Sequence, residues 1–116
     1  MNQISYEERV EVYKEALKQY GQEMQMVVAI EELAECQKEI CKVLRGKGIL
    51  DHLAEEIADA TIMLEQLRLM HDIDELACQE MDEKVERLSD RLGMREDEVN
   101  KETAKMIWVP MLGKEY

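Results

Sequence analysis

The stretch AIEELAECQKEI, Ala29 to Ile40, is followed after a short basic segment by HLAEEIADATIML, His52 to Leu64, and these two segments decide the fold. In and around the first, Met26, Ile30, Leu33, Gln37, Ile40 and Leu44 recur at the period of one helix face, until Arg45-Gly46-Lys47-Gly48 breaks the pattern. Around the second, the stripe is Leu53, Ile57, Ala60, Leu64 and Leu67, running towards His71, with Asp51 as the expected N-cap. The connection is short, so the two helices are expected to be antiparallel neighbours. Both also carry acids at helical spacing, and one of these acids falls where an apolar residue belongs.

Outward from this pair, Tyr6, Val10, Tyr13, Leu17 and Tyr20 mark a preceding helix, capped by Ser5 and stopped by Gly21. A following helix carries Ala77, Met81, Val85, Leu88 and Leu92, from a cap at Asp74 to a stop at Gly93. No segment alternates with period two for long enough to suggest a sheet. The expected fold is all-α, an antiparallel four-helix bundle over residues 1–93. Residues 94–116 hold the charged REDEVNKE and the apolar IWVPML, and are expected to form a C-terminal appendage that docks on the bundle or on a neighbour.

The 116 residues carry a formal net charge of −12, with 36% charged and 46% hydrophobic residues and no Phe. Such an excess of acid repels phosphate backbones, so nucleic acid is not an expected partner, whereas a small anionic substrate is acceptable if metal ions bridge the repulsion. Cys36, Cys41 and Cys78 form no C-x-x-C pair, and their odd number suits a reducing compartment. MNQISYEERV lacks the basic and apolar regions of an export signal, and no run is long enough to span a bilayer. These features point to the cytoplasm and to no membrane. A bundle this small leaves apolar surface uncovered, and Met24 and Val28 lie on the acidic side of the second helix, so a homo-oligomer, a dimer or tetramer, is expected.

Successive helical residues turn by about 100°, so Glu32 and Glu35 share a side with Glu31 flanking them, and Glu56 and Asp59 repeat the same spacing. On the second helix these acids lie roughly opposite the apolar stripe, and Lys38 and Glu39 sit near Glu35, as on an ordinary solvated face. The third helix differs. Glu56 sits among Leu53, Ala60, Met63 and Leu67, while Glu55 points away, and no Arg or Lys stands one turn from Glu56 on either side. A carboxylate in an apolar arc must be protonated, paired with a base from another helix, or bound to a cation. Four carboxylates converging from two helices are the oxygen donors that Mg²⁺, or Mn²⁺ in its place, accepts.

Taken together, E-E-x-x-E at Glu31-Glu32-x-x-Glu35 and E-x-x-D at Glu56-x-x-Asp59 resemble the signature of the MazG-type all-α nucleotide pyrophosphohydrolases. Tyr20-Gly21, Gln25 and EKVERLSDRL extend the resemblance over Tyr6 to Leu92. It implies a Mg²⁺-dependent hydrolase that cleaves a nucleoside triphosphate between its α and β phosphates, with Glu32, Glu35, Glu56 and Asp59 as metal ligands. It further implies that Glu31 orients or deprotonates the attacking water and that Lys84 and Arg87 contact phosphates. Amide and aromatic residues such as Gln22, Gln25 and Trp108 would shape the base pocket.

Three other readings fit parts of the pattern. A di-iron bundle would need Glu-x-x-His pairs, but Glu56-x-x-Asp59 stands in that place, and His52 and His71 read as helix-end residues. A non-catalytic helical interaction protein would use acids and Met side chains as an adaptable surface. A pyrophosphohydrolase of phosphoribosyl nucleotides would share the acidic signature.

Overall fold

The computed structural model describes residues 3–94. Among them are four helices and no strand: α1 (Tyr6–Tyr20), α2 (Gln22–Leu44), α3 (Leu50–Met70) and α4 (Asp74–Arg91). The fold is all-α. The chain divides into two compact units, Met1–Glu75 and Leu76–Tyr116. No helix among the described residues is long and apolar enough to cross a membrane. The expected appendage lies, apart from Met94, outside the described residues.

Local chemistry explains where the helices begin and end. Ser5 Oγ accepts from the Glu8 N–H at 3.1 Å, and Glu8 Oε1 accepts from the Ser5 N–H at 3.2 Å, which satisfies two otherwise orphaned donors at the start of α1. Gly21, at φ 86°, separates α1 from α2. At the end of α2 the Gly46 N–H reaches Val43 O and the Lys47 N–H reaches Lys42 O, a Schellman closure in which Gly46 takes φ 74°. The same pair of bonds ends α3, through Asp72 to Leu69 and Ile73 to Arg68, with Asp72 in the left-handed region at φ 55°. The expected cap at Asp51 is not used. Here α3 starts at Leu50 after Ile49 and has no side-chain cap bond. Asp74 opens α4 from inside the helix, and its carboxylate pairs with Arg68 at 2.9 Å.

In the first unit, α2 and α3 form an antiparallel hairpin. Near the start of α2, Gln22 Nε2 and His71 Nδ1 lie 3.3 Å apart, and Gln25 Nε2 donates to Gln66 Oε1 at 2.6 Å. Midway, Glu32 bonds Asp59. At the closed end Val43 packs on Gly48. The helix α1 joins this pair through Tyr13, which is buried and hydrogen-bonds Glu65 on α3.

The face of α2 that meets α3 is not the one its apolar stripe predicts. Gln25, Ala29 and Glu39 are buried, with Val28, Glu32, Cys36 and Val43 half-buried between them. Met26, Ile30, Leu33, Ile40 and Leu44 are exposed, Ile30 to 68% and Leu44 to 82%. On α3, Ile57 and Leu64 are exposed as well, while Ala60, Met63 and Gln66 are buried. Relative to the stripe-centred expectation, α2 is turned by about a quarter of a revolution, on the order of one residue's 100° step. The physical reason lies in the seam itself. Small side chains at Ala29 and Ala60 allow close approach, and Gln25 and Glu32, which enter with them, bond Gln66 and Asp59 across it.

Candidate functional site

The turn of α2 brings the acids into the seam. Glu32 and Glu56 are half-buried and Asp59 is exposed beside them, and one oxygen from each lies within 4.8 Å of the others. Glu32 comes from α2; Glu56 and Asp59 come from α3, one turn apart on one face. Glu55, adjacent in sequence, is exposed. The expectation that Glu56 sits in the apolar arc and Glu55 points away holds, with Ala60 and Met63 buried and Leu53 and Leu67 half-buried around Glu56.

The electrostatics reflect this crowding. Glu32 is held above the ordinary carboxylate range, first by partial burial, then by the charges of Asp59, Glu35 and Glu31 and by its hydrogen bond with Asp59. Glu56 is raised too, again first by loss of solvent, then by Asp59, Glu32, Glu35 and Glu39. Like charges gathered this way repel, and proton or cation uptake relieves the repulsion.

Of the acids expected in the site, Glu32, Glu56 and Asp59 come together. Glu35 is exposed and outside this trio, although its charge reaches both Glu32 and Glu56. Glu31 is exposed and acts on Glu32. Lys84 and Arg87 are exposed on α4 in the second unit, where Lys84 pairs with Glu80 at 3.5 Å. Trp108 lies outside the described residues. Gln25 is a buried seam residue bonded to Gln66.

The donor set suits a hard divalent ion. Octahedral Mg²⁺ with ligands at ~2.1 Å places neighbouring oxygens ~3 Å apart and opposite ones ~4.2 Å apart, so the three carboxylates need draw together by at most ~2 Å. Three oxygens would leave positions for water and phosphate.

Glu39 was not expected here. It is 8% exposed, and its Oε2 pairs with Lys42 at 3.2 Å. Its sequence neighbourhood suggests a surface pair with a lysine, but it stands seven residues after Glu32, two turns along the same face. That spacing was the available signal. No family model, no curated protein and no solved structure matches this chain.

Proposed function

We propose that this chain is a Mg²⁺-dependent nucleoside triphosphate pyrophosphohydrolase, releasing pyrophosphate and a nucleoside monophosphate. The supporting observation is the convergence of Glu32, Glu56 and Asp59 from two helices, together with the resemblance of the two acidic motifs to the MazG-type signature. Glu32, Glu56 and Asp59 would each supply an oxygen to the cation, and Glu35 would add negative charge from the next turn of α2. The ion, once bound, would offset the charge of the triphosphate and polarise a water for attack on phosphorus. Glu31, exposed and adjacent to Glu32, is the residue assigned to orient that water or accept its proton.

The same reading includes a homo-oligomer in the cytoplasm. Among the described residues only Tyr13, Ala29, Ala60 and Met63 are buried apolar side chains, a small core for a chain that keeps Met26, Ile30, Leu33, Ile40 and Leu44 exposed along one helix. A second copy covering that ridge would complete the bundle.

The test compares adjacent glutamates. Glu56→Gln removes one ligand charge at constant size, and Mg²⁺-dependent pyrophosphate release from a panel of nucleoside triphosphates should fall by orders of magnitude. Glu55→Gln, on the exposed side, should stay within a few-fold of wild type. Equal and nearly full activity in both overturns the assignment.

A further inference from the structure

Two apolar ridges of this chain face water. Met26, Ile30, Leu33, Ile40 and Leu44 are exposed along α2. On α4 no residue is buried, and Met81, Val85, Leu88 and, just past its end, Leu92 are exposed. Both ridges advance by alternating steps of four and three residues, with Gln37 filling the gap on α2, which is the spacing of a seam between two helices. The ridges therefore fit one another in period, and charge decides the direction in which they can meet.

Viewed down each helix from its N-terminus, the flank of α2 that carries Glu32 and Glu39 and the flank of α4 that carries Lys84, Arg87 and Arg91 lie on the same hand of their ridges. The opposite flank of α2 carries Lys38 and, just past the helix, Arg45, and that of α4 carries Glu75, Asp82 and Glu86. Glu31 and Glu80 fall on the basic flanks of their helices, and Glu80 is already answered by Lys84. Facing helices that run antiparallel join flanks of the same hand, whereas parallel ones join flanks of opposite hand. Antiparallel contact is therefore complementary on both flanks, and parallel contact sets acid against acid and base against base. Because α3 runs antiparallel to α2 and only His71, Asp72 and Ile73 separate it from α4, an α4 folded back along its own hairpin would run parallel to α2. The complementary direction needs a second copy.

We propose that α4 of a second copy lies antiparallel along the exposed ridge of α2, with its Leu88 opposite Ile30 and its Val85 opposite Leu33. This rests on the reading that a second copy covers that ridge, and names the segment that does so. An isologous dimer makes the contact twice. Lys84 and Arg87 of the second copy then come alongside Glu32, so each acidic site receives its cationic side chains from the neighbouring chain. Asp82 of the second copy comes alongside Lys38.

The same register sets two native thiols side by side, Cys41 on α2 and Cys78 on α4, both exposed. In a chain folded back on itself Cys78 would instead lie near the start of α2, about 20 Å from Cys41. Full-length chains, isotope-labelled and unlabelled, are mixed and treated with a short bismaleimide, the links are mapped by mass spectrometry, and sedimentation gives the oligomeric state. Wild type is expected to sediment as a dimer and to link Cys41 of one chain to Cys78 of the other. Val85→Glu, at a position exposed in the single chain, should weaken both the dimer and the link by ~10-fold or more. Asp82→Lys should weaken the dimer as well, and Lys38→Glu in the same chain should restore it. Cys41–Cys78 links confined to one chain overturn the proposal. A dimer that links Cys41 to Cys41 and ignores Val85→Glu also overturns it, while leaving a second copy over the α2 ridge. A monomeric wild type overturns both. If Val85→Glu fails to fold, the wild-type links and the charge swap decide the matter.

Discussion

The Tyr13 hydroxyl on α1 donates a hydrogen bond to Glu65 on α3, and the Arg9 guanidinium holds the same carboxylate at 3.2 Å. This is the polar anchor of α1 on the hairpin. Burial, and then the Glu65 bond and charge, push the Tyr13 phenol up to about 12. A raised folded-state value means that the stability from this group is complete below its unfolded value of 10.0 and is lost as pH rises through about 12. Tyr13→Phe should cost about 1.5 kcal/mol in urea unfolding, the low end for a bond to a charged acceptor, because Glu65 remains 23% exposed. It should also abolish a phenolate absorbance step near pH 12. An unchanged step in the variant would show that another tyrosine produces it.

The crowded acids set a second pH dependence. Glu32 and Glu56 are both raised above 4.5, so without cations their contribution favours folding below that value and is lost as pH rises through their raised values. Metal-free protein should therefore lose melting temperature between mildly acidic and neutral pH, and millimolar Mg²⁺ should restore it at neutral pH. Metal-free Glu56→Gln should melt above metal-free wild type at pH 7. A wild-type melting temperature that ignores both pH and Mg²⁺ would count against the site.

Gln25 and Gln66 satisfy each other in the seam, and Gln66 Nε2 also contacts Met63 Sδ at 3.6 Å. Gln25→Leu should strand the Gln66 amide and cost about 1–3 kcal/mol, whereas Gln25→Leu with Gln66→Leu should recover most of that loss. Denaturant midpoints of the two single variants and the double variant form the cycle. Strictly additive losses would mean that the bond carries no coupling.

The exposed ridge on α2 gives a prediction about assembly. Wild type should sediment as a dimer or larger at micromolar concentration, and Ile30→Glu should shift it towards monomer, because Ile30 lies in the middle of the ridge and is already solvent-exposed in the single chain. A monomeric wild type removes the oligomer from the functional reading.

Much of the helical outline was legible because it depends on neighbours in sequence. Ser5 with Glu8, Gly21 and the pattern-breaking Gly46 act within a turn or two of chain, and each does in three dimensions what its spacing suggests. The orientation of α2 was not legible. An apolar stripe states that a face must leave water, but it does not say whether the neighbouring helix or a second chain will cover it. The local amphipathic pattern around Ile30 and Leu33 therefore predicts the hairpin seam one residue away from the one in the structure, where small residues at Ala29 and Ala60 and polar pairs meet. For the same reason spacing alone puts Glu32 and Glu39 on a solvated face, and Glu32 enters the expected site only through the resemblance of its motif. Glu56 was legible because its own helix surrounds it with apolar residues. The structure starts α3 at Leu50, before the Asp51 that the sequence offers as a cap, because a good capping residue does not fix a boundary where the loop before it packs closely on the preceding helix.

That loop closes on one tight contact, between Gly48 and Val43. A β-carbon added to Gly48 would stand 2.6 Å from Val43 Cγ2 and 2.8 and 2.9 Å from the Val43 backbone nitrogen and Cα, distances at which backbone must move. Only a hydrogen fits at this position, and the close approach of Gly48 to Val43 belongs to the register in which α3 faces α2. A rotation of α3 by one residue's step of about 100° relative to α2 would carry Glu56 out of the seam and Glu55 towards it. The chemistry assigned to the acids thus depends on a hydrogen atom more than 10 residues along the chain from Glu32, at a position with no functional group at all. Gly48→Ala should cost about 1–3 kcal/mol and weaken Mn²⁺ binding at the unaltered carboxylates, so sequence changes at this turn act on the metal site without touching it.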